Sequence, residues 1–326
     1  MNGKTAANLA KAPQGGNVPI WKKINPRMIF PALGLIMVVL IFQIFSGGRL
    51  LTANNLRVIL NDVFPILVGA SAYAFILSQG NLDFSIGATM GVSAAVAALA
   101  AGITPILALP AGIIVGAVIG AINGFSHAVL KINAFIATLA MQFILGGVIL
   151  IILRGGVFSV PLVMLSWNTM TLRLSVLFAV LIAGYLVFQF TPYGKYCRAL
   201  GSGIEAARQT GVNITLNKFI PFVVMGATAG LLSFFSIIRT ATVSSHTGGD
   251  LLMSVLNAVL LGGIPITGGA TSRFRAVIIG SLTIAFLNNG MILLGFVPNT
   301  RQLLQGVIFL MAIAISFDRK NTKVIK

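Results

Sequence analysis

Few residues in this chain could perform chemistry. Its 326 residues include five acids, two histidines and one cysteine, Cys197. The acids are Asp62, Asp83, Glu205, Asp250 and Asp318, and they are spread along the sequence. We find no paired carboxylates, no Ser/His/Asp arrangement and no cysteine-rich metal motif, and the phosphate-binding pattern G-x-x-x-x-G-K-[ST] is absent. The sequence therefore predicts no catalytic residue, no metal site and no cofactor, and any work must draw its energy from elsewhere.

The composition predicts a protein whose solvent is mostly lipid. Hydrophobic residues make up 57% of the chain and charged residues 8%, whereas soluble domains are about 25% charged. Such a chain could not cover a water-facing surface, so most of it must lie in a bilayer. The net charge of +17 reflects the scarcity of acids. Because the bases lie at the ends of apolar segments, we predict no nucleic acid partner.

The pattern of apolar segments predicts an all-α fold, a polytopic transmembrane helical bundle of about ten spans. A spanning helix needs about 20 apolar residues. The segments are 28–45, 58–77, 86–101, 106–130, 134–153, 174–190, 219–238, 251–266, 276–296 and 297–317. The third and the eighth are short and contain glycine, which favours broken or partly spanning helices with irregular backbone inside the protein.

The basic residues predict the orientation of the bundle. With both termini in the cytoplasm, most of the 22 Lys and Arg residues fall on the cytoplasmic side, as the positive-inside rule requires. An even number of spans follows. We therefore expect a flexible cytoplasmic segment at 1–26, a transmembrane domain at 27–318 with a cytoplasmic loop at 191–218, and a cytoplasmic tail at 319–326.

One polar stretch stands between two long apolar runs. Residues 191–213 read TPYGKYCRALGSGIEAARQTGVN. Within them, residues 203–211 predict a short helix outside the membrane, on which Glu205 and Arg208 can pair three residues apart. A chain built for lipid has little reason to carry this element unless a cytoplasmic protein binds it. The first hypothesis is a membrane pore driven by a separate motor, and the alternative is a solvated loop helix.

Two short segments resemble each other within the chain. Residues 80–89 read GNLDFSIGAT and residues 262–271 read GGIPITGGAT. Transporters are often built from repeated halves with interrupted helices at matching positions. Two glycine-rich segments of this length could also match by chance, so the sequence leaves both interpretations open.

Four blocks of sequence carry a wider resemblance through their order and spacing. They are GNLDFSIG (80–87), AFIATL (134–139), ALGSGIEAARQTGV (199–212) and NAVLLGGIPITGG followed by LNNG (257–269 and 287–290). Together they resemble the permease subunit of bacterial ABC sugar importers of the ribose type, in the branched-chain amino acid/ribose permease superfamily. Asn81 stands where that family usually has glycine, and Leu252 stands where an alignment would place a glutamate. Ribose itself is therefore not assumed as the cargo.

The resemblance implies a function and a set of partners. The chain would form the path of an ATP-driven importer for a monosaccharide or similar small polar solute, in the bacterial cytoplasmic (inner) membrane. Its partners would be a cytoplasmic ABC ATPase, an extracytoplasmic solute-binding protein and a second permease, identical or related. The residues implied in coupling to the ATPase are Gly203, Glu205, Ala206, Ala207, Arg208 and Gly211.

Other functions stay open at this point. Within the same class, the cargo could be a nucleoside, an autoinducer or a vitamin-like solute. An ion-coupled secondary transporter would place ionisable residues at mid-membrane, and Asp62 is the one plausible candidate. A membrane enzyme would need a catalytic cluster, and the sequence offers none.

Polar residues within the spans are candidates for the translocation pathway, since a sugar needs hydrogen-bond partners. The candidates are Asn61, Asn123, Asn288 and Asn289, and hydrogen bonding between helices is the alternative role. A structural role is expected for the signature residues Gly80, Asp83, Ser85 and Gly87. Asp83 directly precedes a predicted helix, where a carboxylate can cap the helix and complement its dipole, with Ser85 and the following backbone N–H groups as partners.

Overall fold

The computed structural model describes residues 26–316. Its helices are α1 (Pro26–Phe45), α2 (Ala53–Ser78), α3 (Ile86–Ile103), α4 (Ala108–Ala128), α5 (Ala134–Leu153), α6 (Met170–Phe190), α7 (Pro192–Ser202), α8 (Ile204–Gln209), α9 (Ile214–Thr240), α10 (Leu251–Leu261), α11 (Arg275–Leu293) and α12 (Pro298–Ser316). Short 3-10 helices cover Pro105–Leu107 and Leu162–Trp167. Within the described range, the only sheet is a two-residue antiparallel ribbon of β1 (Phe158–Ser159) and β2 (Thr242–Val243).

Each predicted apolar segment contains one helix, and the predicted all-α membrane protein is confirmed. By length and composition, seven of the described helices could cross a membrane: α2, α3, α4 with its preceding 3-10 turn, α5, α6, α9 and α11. The apolar part of α1 and the whole of α10 are shorter. The described chain is therefore a polytopic helical membrane protein.

The two segments expected to be interrupted differ from each other. The expectation of a broken third segment is wrong, because α3 runs unbroken over 18 residues and its glycines adopt helical geometry. The eighth segment contains only the 11-residue α10, which is about 16 Å long at 1.5 Å per residue. Residues 241–250, which precede it, contain the short strand β2 and are otherwise turns and irregular backbone. The eighth segment therefore combines irregular backbone with a short helix.

Helices α2 and α9 are antiparallel neighbours in the middle of the bundle. At one end, the side chain of Gln79, just after α2, donates to the backbone oxygen of Asn217 near the start of α9, at 2.8 Å. At the other end, Oδ1 of Asp62 on α2 lies 3.1 Å from Nη2 of Arg239 on α9. We call the Gln79 end the α8 end, because α7 and α8 attach there, and the Asp62 end the far end.

The helices around α2 and α9 form an inverted repeat. Helix α3 packs against α4, α5 and α9, and α4 packs against α9. Correspondingly, α10 packs against α11, α12 and α2, and α11 packs against α2. Since α2 and α9 run in opposite directions, α2–α5 and α9–α12 are equivalent sets of opposite orientation, as in many transporters.

The similar segments noted in the sequence do not mark this repeat. Residues 80–89 lead into α3, whereas residues 262–271 follow α10. Because α3 corresponds to α10, the two segments occupy different positions in the two halves. The interpretation of these segments as equivalent parts of repeated halves is therefore wrong.

Glycines allow a close helix crossing between α4 and α9. Helix α4 presents a glycine to α9 at every fourth position: Gly112, Gly116, Gly120 and Gly124. A Cβ atom at Gly116 would lie 2.1 Å from the backbone oxygen of Gly226 on α9. The crossing therefore has no room for a side chain. Small residues allow helix backbones in a membrane to approach each other and gain van der Waals contact.

Candidate functional site

The polar stretch between α6 and α9 forms two helices. The predicted short helix is confirmed as α8. Helix α7 was not predicted, although its pattern is amphipathic: Gly194, Cys197 and Leu200 are buried on one side. Pro192 occupies the first turn of α7, where its missing N–H group has no intrahelical partner to lose. The stretch is therefore an ordered unit that carries α8.

The outer face of α8 is charged and exposed. The predicted pair is confirmed, with Arg208 Nη1 at 3.0 Å from Glu205 Oε2, and these side chains are 63% and 74% exposed. On the opposite side, Ala207 is buried in a small apolar cluster with Leu200 and Val212. An exposed pair of this kind contributes at most about 1 kcal/mol to stability, so both charges remain available to a partner protein.

Helix α7 is attached to the bundle by buried groups. Gln79 donates its Nε2–H to the sulfur of Cys197 at 3.2 Å, and burial raises the pKa of the Cys197 thiol to about 11. The thiol is therefore protonated at neutral pH. The guanidinium of Arg198 lies 5.0 Å from the centre of the Phe188 ring. Burial lowers the pKa of Arg198, and the nearby charge of Arg273 lowers it further.

The signature residues lie between α2 and α3, where buried hydrogen bonds hold the turn. Asp83 Oδ1 accepts from the backbone N–H of Ser85 at 2.8 Å and from its hydroxyl at 2.6 Å, so the predicted partner Ser85 is confirmed. The expected helix cap is wrong, because Ser85 itself holds the N-cap position of α3 and, among the described residues, no side chain bonds to the first turn. The Tyr73 hydroxyl accepts from the backbone N–H of Asp83 and donates to its carbonyl oxygen. Asn123 of α4 donates to Ser85 Oγ at 2.8 Å. This network fixes the start of α3 relative to α2 and α4.

Glycines bring the starts of α3 and α10 together. A Cβ atom at Gly87 would lie 2.6 Å from the backbone oxygen of Gly248, and one at Gly91 would lie 2.8 Å from that of Thr247. Gly248 has a φ of +86°, a left-handed conformation that favours glycine. Since α10 begins shortly afterwards, the N-terminal ends of both helices, with the positive ends of their dipoles, lie side by side.

A cleft of about 370 Å³ lies beside this crossing. It is lined by Gln142 of α5, by Ser245 and Thr247, and by the rings of Phe84 and Phe143. Gln142 Oε1 is buried and has no hydrogen-bond partner among the described residues. An amide, hydroxyls and aromatic rings in one cleft are groups that suit a small polyhydroxylated ligand.

Sequence reasoning missed most of this cleft. The candidate pathway residues predicted above do not include Gln142, Ser245 or Thr247. The available signal was the polar, glycine-containing run at 244–249 before an unusually short apolar segment. Interrupted helices of this kind form binding sites in transporters.

Three of the four candidate pathway asparagines are in hydrogen bonds between elements of the fold. Asn123 donates to Ser85, as described. Asn288 accepts from Gln305 of α12 at 2.9 Å, and Asn289 accepts from Asn55 of α2 at 2.7 Å. These contacts favour the alternative role, that of attachment between neighbouring elements.

The fourth asparagine, Asn61, lines a separate cavity of about 300 Å³ at the far end. Arg173 of α6, which is 7% exposed, donates to the Asn61 side chain. Asp62 is paired with Arg239, which also lines this cavity. Within residues 26–316, no group of His, Cys, Asp and Glu side chains could hold a metal ion.

Comparison with known proteins gives a consistent result. Residues 55–313 match a family model described as branched-chain amino acid transport system / permease component. The ribose import permease protein RbsC of Escherichia coli (strain K12) is 29% identical over 276 residues, which cover 81% of this chain and 86% of that protein. The galactofuranose transporter permease protein YtfT of the same strain is 30% identical over 275 residues, covering 80% and 79%. The L-arabinose ABC transporter permease protein AraH of Azospirillum brasilense is 28% identical over 334 residues, covering 97% and 94%. No solved structure gives a significant match.

Proposed function

We propose that the chain, which belongs to the family described as branched-chain amino acid transport system / permease component, is the membrane subunit of an ATP-driven importer. Its cargo would be a monosaccharide or similar small polar solute. The permeases named above carry ribose, galactofuranose and arabinose in their names, which supports a sugar as the cargo. The observation that carries the proposal is α8, an exposed charged helix held on a protein otherwise built for lipid.

The proposed topology has ten spans and both termini in the cytoplasm of a bacterium, with the protein in the inner membrane. Helices α1–α6 and α9–α12 would be the spans, and α7 and α8 would lie on the cytoplasmic side. The clustering of basic residues at that end supports this orientation. The cytoplasmic segments predicted at 1–26 and 319–326 lie, apart from Pro26, outside the described residues and stay predictions.

The proposed partner at the α8 end is a cytoplasmic ABC ATPase. A short rigid helix can dock in a groove of a partner and transmit its displacement. The docking residues would be Gly203, Glu205, Ala206, Ala207, Arg208 and Gly211. ATP binding would move the ATPases, α8 would follow, and the bundle would open alternately to the two sides of the membrane.

The proposed pathway runs past the cleft at the crossing of α3 and α10. The cleft is open at the protein surface, so a second permease on that face would enclose a path between the two copies. Gln142, Ser245 and Thr247 would offer weak hydrogen bonds to a passing sugar, as conduction requires. A solute-binding protein would deliver the sugar at the far end, where Asn61 lies.

Ion-coupled transport is less well supported. Its one candidate residue, Asp62, is paired with Arg239 at 3.1 Å, which favours a structural role. Uptake by cells that lack the ATPase gene, but keep their proton gradient, separates the two functions. The proposal expects no uptake in those cells.

A charge reversal on α8 tests the proposed function. Glu205→Arg should abolish co-purification of the ATPase with the permease, while insertion into the membrane stays normal, because the side chain is exposed. Arg154→Glu, at an exposed position at the end of α5, is the matched charge reversal away from α8 and should leave co-purification unchanged. An unchanged amount of bound ATPase in Glu205→Arg would contradict the proposal.

A tag after residue 326 tests the topology. The tag should be shielded from a membrane-impermeant label in intact spheroplasts and become accessible after lysis. Labelling of intact spheroplasts would rule out an even number of spans with both termini inside.

A further inference from the structure

We infer that α7, through Gly201 and Ser202, joins α8 rigidly to both halves of the inverted repeat, so that the ends of α2 and α10 move together when α8 moves. This inference rests on the proposed function, because it names the residues that would transmit the movement of the ATPase. We call the contact between the end of α2, the end of α7 and residues 262–274 the glycine junction.

The first half of the repeat enters the junction through the end of α2. A Cβ atom at Gly201 would lie 2.2 Å from the backbone oxygen of Ser78, the last residue of α2. The next residue, Gln79, is buried and binds both Cys197 of α7 and the backbone oxygen of Asn217 of α9. Helix α7 is therefore in direct backbone contact with α2 and is linked through one side chain to α9.

The second half enters through residues 262–274, which connect α10 to α11. The backbone N–H of Gly269 donates to the oxygen of Ser78 at 2.9 Å. The backbone N–H of Ala270 donates to the hydroxyl of Ser202 at 2.9 Å. The loop after α10 is thus hydrogen-bonded both to the end of α2 and to the end of α7.

Backbone atoms meet at this junction without side chains between them. A Cβ atom at Gly80 would lie 2.7 Å from the oxygen of Thr267, and one at Gly268 would lie 2.4 Å from the oxygen of Ser78. Such close-packed contacts transmit displacement because they leave no free volume to absorb it. The junction also gives a physical reason for the similar glycine motifs at 80–89 and 262–271, which meet each other here although the repeat does not relate them.

Helix α8 itself makes much weaker contacts. It packs against α7 and α9, and its buried anchor is the small side chain of Ala207. A force applied to α8 therefore reaches the bundle mainly through α7. Because α7 contacts both halves at one place, a single displacement would act on the turn before α3 and on the loop after α10 together.

A disulfide across the junction tests whether it stays closed during transport. We would replace Ser202 and Ala270 by cysteine in the complete importer, reconstituted with its ATPase and binding protein. The native Cys197 is buried and protonated, so it should not compete. The disulfide should form on oxidation, and ATP hydrolysis and uptake of a labelled pentose and hexose panel should be the same before and after reduction. Failure of the disulfide to form, or uptake that stops on oxidation and returns on reduction, would overturn the inference.

A substitution at the junction tests transmission. Gly201→Ala should leave ATPase co-purification and ATP hydrolysis in place, since α8 is unchanged. The amount of solute imported per ATP should fall about tenfold, which is within the usual range of coupling between two sites. Ser202→Ala removes the hydrogen bond that Ala270 donates to the hydroxyl, together with the bond that this hydroxyl donates to the backbone oxygen of Arg198 within α7. It should give a smaller loss in the same ratio, which keeps the test valid if Gly201→Ala does not fold. Gly147→Ala is the matched control, because its Cβ atom would meet no atom within 4 Å.

The outcomes separate this inference from the proposed function. An unchanged ratio of solute to ATP in both junction variants would refute the rigid connection while leaving the importer intact. Absence of any bound ATPase in the unsubstituted protein would instead refute the proposed function.

Discussion

The two halves of the inverted repeat fix the starts of their corresponding helices, α3 and α10, in different ways. In the first half, the turn before α3 is fixed by buried hydrogen bonds among Tyr73, Asp83, Ser85 and Asn123. In the second half, Asp250 directly precedes α10, and its exposed side chain is bonded, among the described residues, only to the exposed Gln302. Buried hydrogen bonds are costly to break, whereas exposed ones exchange with water. The turn before α3 is therefore the more costly of the two to deform, and the start of α10 can change conformation at lower cost.

The helix pairs that the repeat relates also differ. The α4–α9 pair packs backbone against backbone through glycines. The corresponding α11–α2 pair includes the side-chain hydrogen bond between Asn289 and Asn55. Of these two related pairs, α4–α9 is therefore the one in which backbones meet directly. Four tests by substitution can break or sharpen this contrast.

The largest effect is expected at the α4–α9 crossing. Gly116→Leu should prevent folding, because its first side-chain atom would already overlap the backbone of α9, and overpacking of this extent costs more than about 3 kcal/mol. The measurement is the yield of monodisperse permease after membrane extraction. Gly147→Leu, on the exposed face of α5, is the control with the same change in volume. A normal yield for Gly116→Leu would show that the two helices do not touch.

A smaller loss is expected at the turn before α3. Asp83→Ala removes the acceptor of the Ser85 backbone N–H and hydroxyl and leaves both buried, which should lower the free energy of unfolding by about 1–3 kcal/mol. Thermal unfolding of the purified permease, followed by the loss of the monodisperse peak, gives the change. A melting temperature equal to that of the unsubstituted protein would mean that the network does not hold the turn.

The hydrogen bond between α2 and α11 should contribute less. Asn289→Ala, combined with Asn55→Ala in a double-mutant cycle, should give a coupling energy of about 0.6 kcal/mol, since membrane hydrogen bonds average near that value. The same thermal assay reports it. A coupling energy as large as the loss in Asp83→Ala would remove the difference between the two helix pairs.

The smallest effect is expected before α10. Asp250→Ala should change the free energy of unfolding by no more than about 0.5 kcal/mol, because surface substitutions rarely do more. If Asp250→Ala destabilised the protein as much as Asp83→Ala, the starts of α3 and α10 would be equally fixed and the contrast between them would have to be abandoned.

Much of the helical architecture could be predicted because it depends on local properties. Hydrophobic length located the apolar helices, and spacing along one helix predicted the contact between Glu205 and Arg208. The contact of Asp83 with Ser85 was likewise local, since Ser85 is two residues away. Helix α7 was missed because its apolar side, with Gly194 and Cys197, is short and lies within a polar stretch.

The candidate pathway could not be predicted with the same success. Asn61, Asn123, Asn288 and Asn289 have the same side chain in similar apolar surroundings, so the sequence offers no means to separate them. Their partners lie far away along the chain, as Asn55 does from Asn289. Each role depends on which helix lies opposite, and that follows only from packing.

Local order along the chain was thus enough to establish a lipid-embedded helical protein, a polar helix outside its apolar segments and a likeness to sugar permeases. Packing alone decided that α2–α5 and α9–α12 are inverted copies, that two glycine motifs meet at the end of α7, and that Gln142 faces a cleft. Hydrophobicity and helix periodicity act over one or two turns, so they can be read from neighbouring residues. Contacts such as Gly201 with Ser78 join distant parts of the chain, and they exist only once the helices have packed.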